Sequence, residues 1–337
     1  MGPETFSRTA VNLLSLMLLI FVGQDPVALD QTAVVVVIGA PGTSEYAGEF
    51  ATWSERWQTA AQQADARFTL IGGDAQINGD DHDVLQEVIV KEAEQTQGDL
   101  WIVLIGHGTF DGRAAKFNLR GPDVTATELK NWLEAVQRPT AIINCASCSG
   151  PFINALSAPG RMVVTATKSG SEQNYCRFGG FLSQAITDPQ ADIDKDGQNS
   201  LLEAFLAASR NTEAEYKQQG RLATEHALLD DNGDGLGAAA EWFQGIRATQ
   251  KAESAQAVDG RRAHQFHLIR SELERSIPEE LRRQRNELEL QLHELRDKKP
   301  TLAAEEYDAL LEEQLLELAR LYEQIEQQAA QPAAAAP

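Results

Sequence analysis

The sequence predicts an α/β fold built on a doubly wound parallel sheet, and three observations carry that prediction. Over residues 32–190, apolar runs of strand length alternate with segments whose apolar residues recur at helical spacing. The runs are continuously apolar rather than alternating, which is the pattern of strands buried on both faces. Two of them, in LWIVLIGHGTFDG (100–112) and PTAIINCASCSGPF (139–152), stop abruptly at small and polar residues, as parallel strands do where their carboxyl ends open into loops.

Taken in order, AVVVVIGAPG (33–42) reads as a buried strand closed by a glycine- and proline-rich turn, and residues 49–65 follow as a helix. Residues 68–71 make a second strand and 81–96 a second helix, leading to the strand that starts at Leu100. The turn from Gly39 to Gly42 lacks both a phosphate-cradling Lys-Ser/Thr and a full Gly-x-Gly-x-x-Gly, so it gives nucleotide binding little support. Residues 109–122 are polar and glycine-rich, a loop or small hairpin in which Asp111 and Arg113 form a turn and a surface charge. Thr125 to Glu128 starts a helix running to Val136, and Pro139 leads into the strand ending at Asn144.

The chemistry gathers at the two abrupt strand ends. His107 sits at the first, with Gly106 and Gly108 leaving its imidazole uncrowded; Cys145, Ser147 and Cys148 sit at the second. Neighbouring strand ends face one crevice, so a base and a nucleophile delivered this way can meet. A zinc site is disfavoured, because the chain has no second Cys-x-x-Cys and its other histidines are scattered. The tryptophan that precedes a thioredoxin-like redox pair is missing. The helix after Ser149 would bring backbone N–H groups near the nucleophile, as oxyanion donors and as a bias toward thiolate.

His-Gly after one strand, a short small-residue turn with Ser-Gly after the next, and VVTAT (163–167) followed by SEQNYC (171–176) resemble the legumain-type peptidases, relatives of the caspases. The resemblance covers roughly residues 33–190 and implies a caspase/legumain-like sandwich, a protein or peptide substrate and His107 as general base. It also implies Glu172 in the loop that walls the substrate pocket, where it would select a basic or amide side chain. The family's turn reads Ala-Cys-Glu-Ser-Gly. Aligned without a gap it puts Ser147 at the nucleophile position, a slip of one residue puts Cys148 there, and a larger slip chooses Cys145. A thiol needs only a nearby imidazole, whereas a serine hydroxyl needs a well-aligned base and an orienting third group. With Ser147 in the role, the domain is a weak serine hydrolase or an inactive relative that binds peptides.

A further signal is independent of that resemblance. Residues 192–203 (DIDKDGQNSLLE) satisfy the twelve-residue EF-hand pattern, offering Ca2+ the oxygens of Asp192, Asp194, Asp196, the Gln198 carbonyl, Ser200 directly or through water, and Glu203 with both oxygens. Residues 230–241 (DDNGDGLGAAAE) repeat it with Asp230, Asn232, Asp234, the Leu236 carbonyl and Glu241, Ala238 supplying nothing at the ninth position. Residues 201–229 and 238–252 read as helices around the second loop, so residues 191–252 form a pair of calcium loops. Asp188-Pro189 breaks a helix before the first loop, which favours a structural clamp over a calmodulin-like sensor.

Composition bounds the rest. The 337 residues are 42% apolar, enough for a substantial core. The formal charge of −21 argues against nucleic acid and for basic partners. Residues 1–30 carry one basic residue, Arg8, ahead of an apolar run at 10–22, which reads as a signal peptide or N-terminal membrane anchor of an exported protein. The three cysteines imply no disulfide scaffold. Leucines at 281, 288 and 295, then 311 and 318 with Ile325, make residues 261–328 a helical hairpin or coiled coil turning at Pro300, able to hold a second copy or another chain. Residues 329–337 read as a disordered tail. The alternative to an endopeptidase is a non-catalytic, calcium-stabilised peptide-binding or assembly module.

Overall fold

The computed structural model describes Gly2 and residues 31–73, 79–255 and 257–329. The signal or anchor reading, and all of the tail beyond Ala329, lie outside the described residues. Among the described residues, no helix is long and apolar enough to cross a membrane.

The chain runs β1 (Ala33–Ile38), α1 (Ser44–Gln63), β2 (Arg67–Gly72), α2 (Asp81–Ala93), β3 (Leu100–Ile105), then a small antiparallel sheet of β4 (Gly108–Phe110), β5 (Ala115–Phe117) and β6 (Val124–Thr125). It continues through α3 (Ala126–Leu133), β7 (Thr140–Asn144), α4 (Pro151–Leu156), β8 (Arg161–Thr165), α5 (Phe178–Ala185) and α6 (Leu201–Gln218). After these come β9 (Leu228–Asp230), β10 (Ala238–Ala239), a hairpin of β11 (Phe243–Gln244) and β12 (Arg247–Ala248), α7 (Arg261–His264), α8 (Glu272–Ser276), α9 (Glu279–Lys298) and α10 (Ala304–Ala329).

Seven strands form one sheet in the order β10-β9-β8-β7-β3-β1-β2, with β2 to β8 parallel and β9 and β10 antiparallel at one edge. The continuous apolar runs have the reason expected of them. Val34, Val36, Trp101, Val103 and Val164 pack under α1, α5 and α6, while Val35, Val37, Ile102, Leu104 and Val163 pack under α2, α3 and α4. Each strand is therefore apolar on both faces, and the fold is the predicted α/β sandwich with helices on both sides.

Thr125 caps α3 in a reciprocal box with Glu128, so that helix starts where the sequence placed it. Asp111 accepts from the N–H groups of Arg113 and Ala114, which makes the expected turn. The helical expectation for residues 201–229 fails past Gln218. There Gly220, at φ +64, ends α6 with Gly220 N–H on the Lys217 carbonyl and Arg221 N–H on that of Tyr216, and the chain goes on to β9. The expectation for 238–252 fails as well, since Ala238 and Ala239 form β10 and a hairpin follows. The free edge of β8 takes up β9, β9 takes up β10, and sheet pairing overrides the helix preference of the alanines. The second acidic loop is thus the turn of a β-hairpin on the main sheet, and residues 191–252 are not a separate helical unit.

Beneath the sheet, Glu92 takes two hydrogen bonds from Arg67 (2.9 and 2.7 Å) and a third from Arg138, whose side chain is fully buried. Glu92→Gln strands the Arg138 charge in the interior, which costs about 3–5 kcal/mol. The expected result is a lower urea midpoint with an unchanged slope; an unchanged midpoint contradicts it.

The C-terminal segment is no detached appendage. Phe266 stacks on Trp101 at 4.7 Å between ring centroids, and Arg270 pairs with Asp99 at 2.6 Å. Further on, α9 and α10 form the expected hairpin, with Ile277, Leu281 and Leu288 packed on Leu321 and Ile325.

Candidate active site

The strand order puts β1 between β2 and β3, so the chain leaves β1 to one side for β2 and returns on the other for β3. The carboxyl ends of β1 and β3 are therefore the switch point, where open α/β sheets hold their ligands. The turn after β1 and His107 after β3 meet there. His107 Nε2 lies 3.2 Å from the Pro41 carbonyl. A carbonyl only accepts, so in the neutral ring this bond assigns the proton to Nε2 and leaves the lone pair on Nδ1. The imidazole is also collared by rings: Tyr46 at 4.8 Å, Phe50 at 5.3 Å and Tyr175 at 6.0 Å between centroids, each edge to face. Sequence reading missed the Pro41 carbonyl and the collar. The turn had been tested only for phosphate binding, although its place after the first strand was the available signal.

The second strand end is joined to the first by register. Leu104 pairs with Asn144, and His107 and Ser147 each stand three residues beyond that pair. The Ser147 hydroxyl donates to the Gly108 carbonyl (3.1 Å) and accepts from the Gly108 N–H (3.3 Å). A Cβ on Gly108 would lie 2.1 Å from the Ser147 carbonyl oxygen, so this approach requires glycine.

The three nucleophile candidates have different surroundings. Cys145, 1% exposed, is built into the core against Gly179, and burial, with a smaller contribution from Glu225, pushes its thiol up to about 12. Ser147 has its hydroxyl spent on Gly108 in both directions. Cys148 occupies a left-handed backbone conformation at φ +58 and donates its N–H to the Glu172 carbonyl (2.8 Å). Burial raises its thiol and the Ser147 hydroxyl opposes that rise. Cys176 is held far above the ordinary thiol range, chiefly by burial and then by Glu225. All three cysteines are free thiols.

The expected oxyanion donors of the following helix are already committed. Proline at 151 has no N–H, the Gly150 N–H goes to the Thr167 hydroxyl (3.0 Å), and Phe152 and Ile153 bond back to Ser149 and Gly150. The amide next to His107, that of Gly108, also faces the site, where the Ser147 hydroxyl accepts it at 3.3 Å.

Glu172 stands in the loop after β8, with its carboxylate engaged. It accepts from the N–H groups of Lys168 (3.0 Å) and His226 (3.2 Å) and pairs with His226 Nδ1 at 2.5 Å. Next to it Glu225 accepts from the Arg177 and Phe178 N–H groups at the start of α5 and from the Tyr216 hydroxyl. Burial raises Glu225, and these donors oppose the rise. Residues 225 and 226 thereby pin the loop whose backbone holds Cys148.

The two acidic loops are wound alike. In the first, Asp192 accepts from the N–H of Lys195, Asp194 from Asp196, and Asp196 from Gln198. In the second, Asp230 accepts from Gly233, Asn232 from Asp234, and Asp234 from Leu236, the same positions in each loop. Positions four and six are left-handed in both: Lys195 and Gly197, Gly233 and Gly235. Carboxylate oxygens of Asp192, Asp194 and Asp196 lie within 4.8 Å of one another. The Gln198 side chain bonds Asp196 and accepts the Ser271 N–H, and His264 pairs with Asp194 at 2.8 Å. Ser200 and Glu203 form the capping box of α6, and Glu203 also accepts the Ile193 and Asp194 N–H groups. In the second loop Leu236 gives its N–H to Asp234, while Glu241 is exposed, in a short 3-10 turn, with no hydrogen bond or ion pair among the described residues.

No protein-family model and no curated protein matches this chain. Solved structures are similar to it at low identity, among them the following. The Drosophila initiator caspase Dronc is 16% identical, over 69% of this chain and 91% of that one, at a TM-score of 0.41. Caspase-1 from Spodoptera frugiperda is 8% identical, over 60% and 87%, at 0.39. Protein GSU0716 from Geobacter sulfurreducens is 10% identical, over 59% and 93%, at 0.38.

Proposed function

We propose that this protein is an exported cysteine endopeptidase of the caspase and legumain type, stabilised by calcium, with His107 as general base and Cys148 as nucleophile. The observation that carries the reading is the His107–Pro41 bond, which directs the basic nitrogen of the ring away from the turn of β1 and supplies the orienting third group that a base-nucleophile pair needs. Cys148 is preferred because it holds a strained, left-handed backbone in the turn after β7, next to the Ser147 that bonds Gly108, while Cys145 is packed against Gly179 and Ser147 is spent.

In this mechanism His107 Nδ1 takes the thiol proton, and Sγ attacks the scissile carbonyl carbon. The Gly108 N–H, released as the Ser147 hydroxyl rotates away, holds the oxyanion. The imidazolium then protonates the leaving amine, and water, deprotonated by the same nitrogen, hydrolyses the thioester. The net charge of −21 favours basic partners and substrates. Each acidic loop would hold one Ca2+ through its ladder of carboxylates.

The test is alkylation of the full chain by iodoacetamide in calcium, read by intact mass and peptide mapping across pH. Burial raises the Cys148 thiol, so without help its labelling rate climbs only at alkaline pH. The expected result is labelling at Cys148 that is fast at neutral pH and slowed by His107→Ala. A second reading, a non-catalytic peptide-binding module, is favoured by the sealed Ser147 hydroxyl and the buried thiols. It prevails if no thiol responds to His107 and no peptide from a mixed library is cut.

A further inference from the structure

The first turns of α1 carry an acid to the rim of the site. Tyr46, Glu49, Phe50 and Trp53 recur at the spacing of one helix face, so a carboxylate and three rings arrive together. Two of those rings, Tyr46 and Phe50, touch the His107 imidazole. From the loop after β8, Tyr175 closes on the group. Its ring lies 4.5 Å from Tyr46 and 6.2 Å from Trp53 between centroids, and its hydroxyl donates to Glu49 Oε2.

This cluster has a buried back and an open front. Phe50 and Trp53 are buried, whereas Tyr46, Glu49 and Tyr175 reach solvent beside the half-buried His107. Burial, and after it the bond to Glu49, raises the Tyr175 phenol, so the proton stays on the phenol and Glu49 accepts. The other Glu49 oxygen, Oε1, has no hydrogen bond, and no Lys, Arg or His pairs with Glu49 among the described residues. Arg177, two residues beyond Tyr175, lies instead over the Tyr216 ring at 5.2 Å.

The acid that the sequence put forward for substrate selection is differently placed. Glu172 has both oxygens taken, Oε2 by the N–H groups of Lys168 and His226 and Oε1 by His226 Nδ1. Glu49 keeps an oxygen to offer. A guanidinium suits what surrounds it, since its plane covers a ring face while its N–H fork meets a carboxylate. An acidic side chain would be repelled there, and a neutral one without a donor would cover that oxygen and leave it unpaired.

We propose that Glu49, with the rings of Tyr46 and Tyr175, forms the subsite that holds an arginine side chain beside the bond to be cut. The inference rests on the peptidase reading of the site and adds to it a substrate class and the residue that selects it.

The experiment begins with the full chain acting on a peptide mixture made by digesting an unfolded protein, the new ends being read by mass spectrometry. Arginine is expected beside the cuts. Two peptides that differ only in arginine or glutamine at that place then give a ratio of kcat/KM. Glu49→Gln, which keeps an acceptor for Tyr175 and removes the charge, is expected to lower the ratio by about tenfold or more. Cuts with no arginine beside them, or a ratio that Glu49→Gln leaves where it was, overturn the subsite and spare the peptidase reading. No cut by the wild type overturns both. Should Glu49→Gln fail to fold by circular dichroism, the wild type decides with benzamidine, a planar cation: competitive inhibition of the arginine peptide supports the subsite, and its absence at millimolar concentration overturns it.

Discussion

His107→Ala is expected to reduce kcat/KM on a cleaved peptide by about 10²–10⁴-fold, the range that a positioned general base supplies. Cys148→Ala should remove turnover altogether. Because base and nucleophile act as a unit, the double variant should be no slower than Cys148→Ala by itself. His107 is only half-buried, in a collar of rings that pack on one another as well as on the imidazole, so the fold should survive its loss. Progress curves and far-ultraviolet circular dichroism on the same samples separate the two effects. Full hydrolysis in His107→Ala ends the peptidase mechanism, and hydrolysis that survives in Cys148→Ala but fails in Ser147→Ala reassigns the nucleophile.

Chelation of calcium should have the largest effect on stability. A cation at 100 times its dissociation constant adds about 2.7 kcal/mol to whatever holds it only when folded, so two loops together add roughly 5 kcal/mol. For a chain of this size that amount moves Tm by on the order of 10 °C. The loss should be reversed by Ca2+, with weaker recovery by Mg2+, which resists giving up its water. A scanning-calorimetry trace that does not move between calcium and chelator refutes the clamp. The electrostatic reason is local: Asp192, Asp194 and Asp196 have oxygens within 4.8 Å of one another, and among the described residues that trio has a single ion pair, through His264.

Much of this architecture was legible because burial on both faces leaves a plain mark. The runs at 33–38 and 100–105 are apolar throughout, those at 140–144 and 161–165 are apolar in their middle residues with buried polar ends, and each is a strand of the parallel sheet. The capping pair Thr125 and Glu128 and the turn at Asp111 were also readable, since each is a local hydrogen-bond pattern. What failed was non-local. Alanines 238–240 carry helix preference, but the open edge of β8 and the antiparallel β9 outweigh it. The stop at Gly220 was written in the sequence and passed over in favour of a longer helical period.

The site divides the same way. His107 and the cysteine-rich turn could be found from strand ends, whereas the ranking of Cys145, Ser147 and Cys148 depends on which face of the sheet each meets. Cys145 continues a strand and so points into the packed layer of Gly179 and Trp53. Asp259 and His264 come from a segment with no motif, and only folding places them beside the acidic loops.

The orienting partner of His107 is a peptide oxygen. An alanine scan of this protein would therefore count two participants and miss a third, because every residue type at position 41 carries the same carbonyl. What the site demands of that turn is its length and path, so the sequence there can drift while the geometry stays fixed. Side-chain substitution cannot interrogate it. Exchanging the Pro41–Gly42 amide for an ester, which weakens the carbonyl as an acceptor and leaves every side chain in place, can.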